Sequence, residues 1–156
     1  MDTLPYLDTF FLVTIGGARD AKANVGATGF CEVVFPELLV ARESIIRKPE
    51  PGHAVLPPAQ PAGISAEPAR RSLLLRRGFS GSHDLYHWWD RTRRGHPPRQ
   101  RTVTVELLDA DRAQVLLRWK FFGTRPLALS YSPLRAMAPG VLMETIELAY
   151  ERFELH

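Results

Sequence analysis

The chain has 156 residues, 45% of them hydrophobic and 24% charged, which supplies apolar material for one core and excludes wholesale disorder. Its net charge of +3 is concentrated in residues 70–101, where nine arginines accompany only two acidic side chains, so this segment is expected to bind a partner. No apolar run approaches the roughly 20 residues that span a bilayer, Asp2 and Asp8 argue against a signal peptide, and the single cysteine excludes an intramolecular disulfide framework. The sequence therefore predicts one domain over residues 1–156, made in the cytoplasm and without membrane insertion of its own.

The first half of the chain predicts strands followed by an irregular stretch. Residues 8–15 and 29–35 are predicted strands because both are rich in apolar β-formers, and a weaker strand is predicted over residues 38–47. Residues 8–15 are largely apolar on both strand faces, so both faces are expected to be covered. Cys31 lies inside the second strand and is expected to be a buried, unreactive thiol. Six prolines within residues 49–68 exclude a helix or a central strand and predict a long exposed loop inserted in the domain.

A short strand and one amphipathic helix are predicted next. Residues 71–77 form the strand, and residues 82–94 form the helix, with Ser82 as candidate N-cap and Gly95 as candidate C′ residue. Apolar residues at positions i, i+3 and i+4 form one stripe, which is expected to anchor the helix on the domain. The stripe consists of Leu85, Trp88 and Trp89.

The last third of the chain contains a predicted hairpin and one segment of open assignment. Strands are predicted over residues 102–108, 114–122 and 126–131. A tight turn at residues 109–112 joins the first two, and residues 133–139 are expected to be a loop. Residues 141–155 fit both a helical stripe and a strict alternation, so periodicity leaves helix and strand open.

No catalytic or cofactor-binding motif is present. The chain contains no phosphate-binding loop, dinucleotide fingerprint, nucleophile elbow or zinc-protease motif. His83 and His87 lie four residues apart on the predicted helix, but metal sites normally need three or four ligands, so no metal is predicted. The neighbouring carboxylates Glu144 and Glu147 are expected to be a surface pair. The sequence therefore predicts a protein without enzymatic activity and without a cofactor.

The arginine-rich segment and its two tryptophans leave a nucleic-acid hypothesis open. Arginines neutralise phosphates and exposed indoles stack on bases, so one interpretation is a basic β-barrel module that binds single-stranded nucleic acid. Trp88 and Trp89 share a stripe with Leu85, however. This arrangement favours burial of both rings and pairing of the arginines with acidic residues on a neighbour.

Several short motifs in a fixed order resemble one known family. They are Arg76-Arg77-Gly78-Phe79, Leu85-Tyr86-His87-Trp88-Trp89-Asp90, the strand at residues 103–108, Arg118-Trp119 and the ending at residues 143–151. Together with the strand at residues 10–15 and Gly29-Phe30, they resemble the tail-tube family of contractile phage tails and phage-tail-like injection systems. The resemblance covers residues 8–35 and 70–155. Residues 49–68 and 133–139 depart from the family pattern, which keeps a specialised tube-initiator ring at the baseplate end as an alternative.

The resemblance implies a mainly β fold. Two packed antiparallel sheets would form a β-barrel-like sandwich with one flanking helix at residues 82–94, and residues 141–155 would be a strand. Six copies would close into a ring, and rings would stack into a hollow tube that a contracting sheath propels. The implied partners are further copies of the chain, sheath and baseplate proteins, and protein cargo or DNA in the lumen. The family has no catalytic residues, and the subunit would end as part of a phage tail or injection particle.

A ring also gives the basic segment a partner. Neighbouring subunits hide sheet edges by pairing them, and arginines of one subunit are then expected to meet acidic strand ends of the next. The candidate interface residues are Arg71, Arg76, Arg77, Arg91, Arg93, Arg94, Glu144, Glu147 and Glu151.

Overall fold

A computed structural model of the chain describes residues 4–17, 29–38, 71–97 and 100–156, which form seven strands and one helix. In chain order the elements are β1 (Phe11–Gly17), β2 (Phe30–Val34), β3 (Leu73–Gly78), α1 (Asp84–Arg93), β4 (Arg101–Leu108), β5 (Val115–Tyr131), β6 (Met143–Ala149) and β7 (Arg152–Leu155). The predicted strand over residues 38–47, beyond Leu38 itself, and the proline-rich stretch 49–68 lie outside the described residues.

The strands pair antiparallel in one sheet with the order β1-β4-β5-β6-β3-β2, and β7 adds to β5. The sheet has two halves because β5 is long enough to serve both. Residues 115–124 of β5 pair with β4, whereas residues 125–131 pair with β6. We call β1, β4, β7 and the first part of β5 the first half-sheet, and β2, β3, β6 and the rest of β5 the second half-sheet.

The continuity of β5 corrects the prediction of two separate strands at residues 114–122 and 126–131. Gly123 lies between them with φ +63°, a conformation that glycine adopts without steric cost, so the strand bends there without ending. The next residue, Thr124, is fully buried, and its hydroxyl donates to the carbonyl oxygen of Arg101 at 2.6 Å. Pro126 lacks an N–H group, and the register shifts between Pro126 and Ala128, so the ladder continues past the proline as a bulge.

One hydrophobic cluster receives side chains from both half-sheets and the helix. Its buried members are Val13, Ile15, Leu73, Leu75, Leu85, Trp88, Val103, Val105, Phe121, Ile146 and Leu148. These residues alternate along their strands with outward-facing neighbours, which is the pattern of a half-buried strand. Phe35 follows β2, and its ring centroid lies 4.8 Å from that of Trp119 in the first part of β5, so these two rings join the half-sheets by a side-chain contact.

The predicted mainly β fold with one helix is confirmed. The two predicted sheets are halves of one sheet, and the barrel-like closure is not present in the described ranges, where β1 and β2 end the strand order unpaired with each other. Residues 141–155, which periodicity left open, form β6 and β7 with a break at Tyr150 and Glu151. The strand assignment implied by the resemblance is therefore confirmed.

The N-cap of helix α1 lies one residue later than predicted. The N-cap is His83, which makes no side-chain capping bond, and Ser82 instead donates its hydroxyl to Asp84 Oδ1 at 2.8 Å. Asp84 in the first turn and arginines in the last turn suit the helix dipole, and Gly95 follows the end with φ +75°, as predicted for a C′ residue. No helix in the described part of the chain has the length and hydrophobicity that crossing a bilayer requires.

Candidate subunit interface

The helix is anchored by two of the three predicted stripe residues. Leu85 is fully buried, Trp88 is 3% exposed, and the Arg101 guanidinium lies 4.6 Å above the Trp88 ring. Trp89 is only partly buried and has Arg93 stacked on its ring at 5.4 Å. A turn of 3.6 residues places the two tryptophans on opposite flanks of Leu85, and the helix is rotated toward the Trp88 flank. Trp88 lies in the core, so its ring is not available for stacking on nucleic-acid bases.

A buried charge cluster ties the start of α1 to the second half-sheet. Arg77 and Glu144 face each other in the β3–β6 register and are 2% and 1% exposed. Arg77 Nη2 donates to Asp84 Oδ1 at 2.6 Å and lies 3.4 Å from Glu144 Oε1. We call these three residues the charge cluster. One guanidinium serves two carboxylates, so the cluster carries an excess of negative charge when both acids are ionised.

The position of Arg77 and Glu144 in this cluster corrects the prediction that both lie at a subunit interface. Arg77 and Glu144 were expected to meet residues of a neighbouring subunit. Both are instead buried and paired within the same subunit, because alternation along β3 and β6 turns their side chains toward the interior.

The pKa values of the two carboxyl groups in the charge cluster are shifted in opposite directions. Burial raises the pKa of Glu144 above its ordinary value of 4.5, and the charge of Arg77 offsets this only in part. Burial also acts to raise the pKa of Asp84, but the hydrogen bonds from Arg77 and Ser82 and the charge of Arg77 outweigh it. The pKa of Asp84 therefore lies below its ordinary value of 3.8.

We expect Glu144 to make the subunit less stable as the pH rises above 4.5. A carboxyl whose pKa is higher in the folded state stabilises the fold below its unfolded pKa, and this contribution is lost as pH rises through the folded pKa. The lowered pKa of Asp84 affects stability in a different pH range, because the stabilisation that Asp84 contributes to the fold is lost only as pH falls below 3.8. The free energy of unfolding should therefore fall less between pH 4.5 and pH 7 in the Glu144→Gln variant than in the wild type.

Urea denaturation of the wild type and Glu144→Gln at both pH values measures this change. Glu32→Gln is the matched control, because Glu32 is exposed and lies 3.9 Å from its partner Arg76. Equal losses in the wild type and Glu144→Gln would contradict the assignment.

The other predicted arginines are at the surface. Arg93 and Arg94 both pair with Asp90, at 2.6 and 3.0 Å, and Arg76 lies near Glu32 on β2. Arg71 and Arg91 are exposed and make no ion pair with a residue that the structure describes. Surface ion pairs of this kind contribute little to stability, so these side chains are available for contacts with another molecule.

The two remaining predicted acids have neutral partners. Glu147 Oε1 accepts a hydrogen bond from the Ser72 hydroxyl at 2.6 Å. Glu151 Oε1 accepts one from Gln100 Nε2 at 2.7 Å. Neither acid contacts a predicted arginine within the described part of the subunit, so their role at an interface stays a prediction.

A cleft that no sequence pattern indicates lies at the start of α1. Five side chains line about 380 Å³: Phe79, His83, Tyr86, Tyr131 and Leu142. We call it the aromatic cleft. The rings of Phe79 and Tyr131 meet edge to face at 6.2 Å, although 52 positions separate them in the sequence. The cleft borders the charge cluster: burial and then the negative charge of Glu144 raise the pKa of the Tyr131 phenol.

A second surface feature is the loop between β5 and β6. Its ends are fixed at Ser132 and Met143, since the Ser132 amide donates to the Met143 carbonyl at 2.9 Å and the Met143 amide to the Ser132 hydroxyl at 2.8 Å. Between these residues Leu134, Met137 and Val141 are exposed, and Met137 has φ +58°. Large apolar side chains held outward in this way are typical of an interaction surface.

Two further sequence interpretations concern Cys31 and the histidines. Cys31 is exposed, not buried as predicted, because the β2–β3 register shifts between Phe30 and Glu32 and leaves Cys31 as the extra residue of a bulge. His83 and His87 have ring centroids 6.2 Å apart. Within the described ranges, no three His, Cys, Asp or Glu side chains gather as a metal site would require.

Comparison with known proteins assigns this arrangement to a family. The family model described as T4-like virus tail tube protein gp19 matches residues 65–154. No curated protein matches the chain in sequence.

Several solved structures share the fold. A chain of the anti-feeding prophage (AFP) baseplate is 20% identical with a TM-score of 0.64, and the match covers 99% of this chain and 97% of that one. A chain of the sheath–tube complex of the extracellular contractile injection system PVC is 17% identical with a TM-score of 0.61, covering 97% and 91%. Hcp1 from Flavobacterium johnsoniae is 13% identical with a TM-score of 0.52, covering 92% and 94%.

Proposed function

Because the chain belongs to the T4-like virus tail tube protein gp19 family, we propose that it is the structural inner-tube subunit of a phage tail or contractile injection system. Six copies close into a ring, and rings stack into a hollow tube. The observation that carries the proposal is the open sheet: in the described residues, β1 and β2 each pair with a neighbour on one side only. Unpaired strand edges readily bind further strands, and sister copies supply them in a closed ring.

The exposed apolar side chains support the same proposal. Besides the β5–β6 loop, the segment before β1 exposes Leu4, Tyr6 and Leu7, and Leu12 lies exposed on the edge strand β1. Obligate subunit interfaces are large and apolar, so these segments are suited to burial between copies. In the ring, the paired sheet edges, the apolar segments and the exposed arginines would all contribute to contacts between copies.

The role of the tube is mechanical and non-enzymatic. A sheath surrounds the stacked rings and drives them through a target envelope on contraction, while protein cargo or DNA occupies the lumen. Sheath and baseplate proteins are the other partners of the subunit, which leaves its site of synthesis as part of an assembled tail or injection particle. The similarity to chains of a sheath–tube complex and of a baseplate supports these partners.

A specialised ring at the baseplate end is the second candidate, favoured by the similarity to a chain of the AFP baseplate. The two roles differ in how the rings continue. A main tube protein stacks rings into filaments of variable length, whereas an initiator forms a single ring by itself.

Sedimentation velocity of the purified protein over a range of concentrations tests the proposal. We expect hexamers or larger species to grow with concentration. Met137→Asp should shift them toward monomers without lowering the free energy of unfolding of the subunit, because Met137 is fully exposed in the isolated chain. A wild-type protein that remains monomeric at every concentration would contradict the proposal.

A further inference from the structure

The two ends of α1 differ in charge and in shape. At its start lie the aromatic cleft and the charge cluster, where one guanidinium serves two carboxylates. At its end lie Arg91, Arg93 and Arg94, which we call the basic end. A helix of ten residues is about 15 Å long, so these surfaces are at opposite ends of one rigid element.

The cleft has the chemistry of a cation site. Aromatic faces attract cations, and a guanidinium is the cation that stacks best on them because it is planar and weakly hydrated. The negative charge behind the cleft is not fully compensated. Glu144 Oε2 is buried and accepts no hydrogen bond from the residues described, while Arg77 Nη2 lies closer to Asp84 than to Glu144.

Arg91 is the arginine of the basic end that is best suited to enter such a site. Its side chain is exposed and forms no ion pair with a described residue, whereas Arg93 and Arg94 share Asp90. An exposed, unpaired guanidinium at one end of the helix is complementary in charge to the acid-backed aromatic cleft at the other end.

We propose that the Arg91 guanidinium of one copy enters the aromatic cleft of the next copy, between Tyr86 and Tyr131. This inference rests on the proposed tube function and names the contact by which neighbouring subunits recognise each other. Since donor and acceptor lie at opposite ends of α1, the contact is head-to-tail, and such contacts close into rings when the rotation between subunits allows it.

Single substitutions at each end test the contact by sedimentation velocity. Arg91→Glu and Tyr86→Lys should each weaken self-association by at least about tenfold, because each places like charges together. Arg125→Glu is the matched control, since Arg125 is also exposed on β5 and lies outside both surfaces; it should associate like the wild type. Arg91 and Tyr86 are both exposed. Urea denaturation should therefore show unchanged subunit stability for Arg91→Glu and a small change for Tyr86→Lys.

A mixing experiment gives the sharper result. The Arg91→Glu variant retains an intact cleft, and the Tyr86→Lys variant retains Arg91. In an equimolar mixture, Arg91 of a Tyr86→Lys subunit can enter the cleft of an Arg91→Glu subunit, whereas the reverse contact cannot form. At a concentration where each variant alone is monomeric, we expect the mixture to form 1:1 dimers.

Two outcomes are distinguishable. If the wild type associates and either variant associates equally well, or the mixture remains monomeric, the Arg91 contact is wrong while the tube proposal stands. If the wild type does not associate at all, both fail.

Discussion

Trp88→Ala is expected to lower the free energy of unfolding of the subunit by about 3–5 kcal/mol. The indole is 3% exposed, packs in the same cluster as Leu85 and the β4 valines, and lies under the Arg101 guanidinium. Truncation removes this apolar contact and leaves a cavity where the helix meets the sheet. Urea denaturation of subunits kept below the concentration of assembly measures the loss.

Trp89→Ala is the matched control for this measurement. Trp89 is the next residue on the same helix, but its ring is partly exposed and contacts the side chain of Arg93. Its loss should be clearly smaller, since a cation–π contact at an exposed site contributes about 0.5–1 kcal/mol. Equal losses of unfolding free energy in Trp88→Ala and Trp89→Ala would contradict an orientation of α1 that buries Trp88 and leaves Trp89 partly exposed.

Arg77→Met should also destabilise the subunit by about 3–5 kcal/mol, the range for removing one partner of a buried ion pair. The change leaves the carboxylates of Asp84 and Glu144 close together without the cation between them. Urea denaturation at pH 7 measures this effect. Adding Glu144→Gln to Arg77→Met should restore part of the stability, because it removes one of the two uncompensated charges.

Arg76→Met controls for the loss of an arginine from β3. Arg76 is the preceding residue, points to the outer face and lies 3.9 Å from the exposed Glu32, so its loss should be within about 0.5 kcal/mol. A similar destabilisation by Arg76→Met and Arg77→Met would show that the buried cluster does not have the energetic role assigned to it.

Local pattern predicted most of the strands and the helix because those elements alternate or repeat with the period of their own backbone. Leu85 and Trp88 were found in this way, and so was the turn at residues 109–112, where Asp109 Oδ1 accepts from the Ala113 amide at 2.8 Å. Periodicity failed at residues 141–155, where helix and strand fit equally well. There the family resemblance supplied the answer.

Features that depend on distant residues could not be read from local pattern. Arg77 and Glu144 are 67 positions apart, and nothing in either neighbourhood indicates that the register of β3 and β6 places them opposite each other. The aromatic cleft likewise draws on residues from three separate parts of the chain. The exposure of Cys31 depends on a bulge in an edge strand, which the apolar composition of that segment does not reveal.

Electron microscopy of the purified protein at high concentration tests most directly whether sister copies complete the open sheet. We expect annular particles of six subunits, stacked end to end where rings accumulate. A field of dispersed single subunits under every condition of salt, pH and concentration would contradict it.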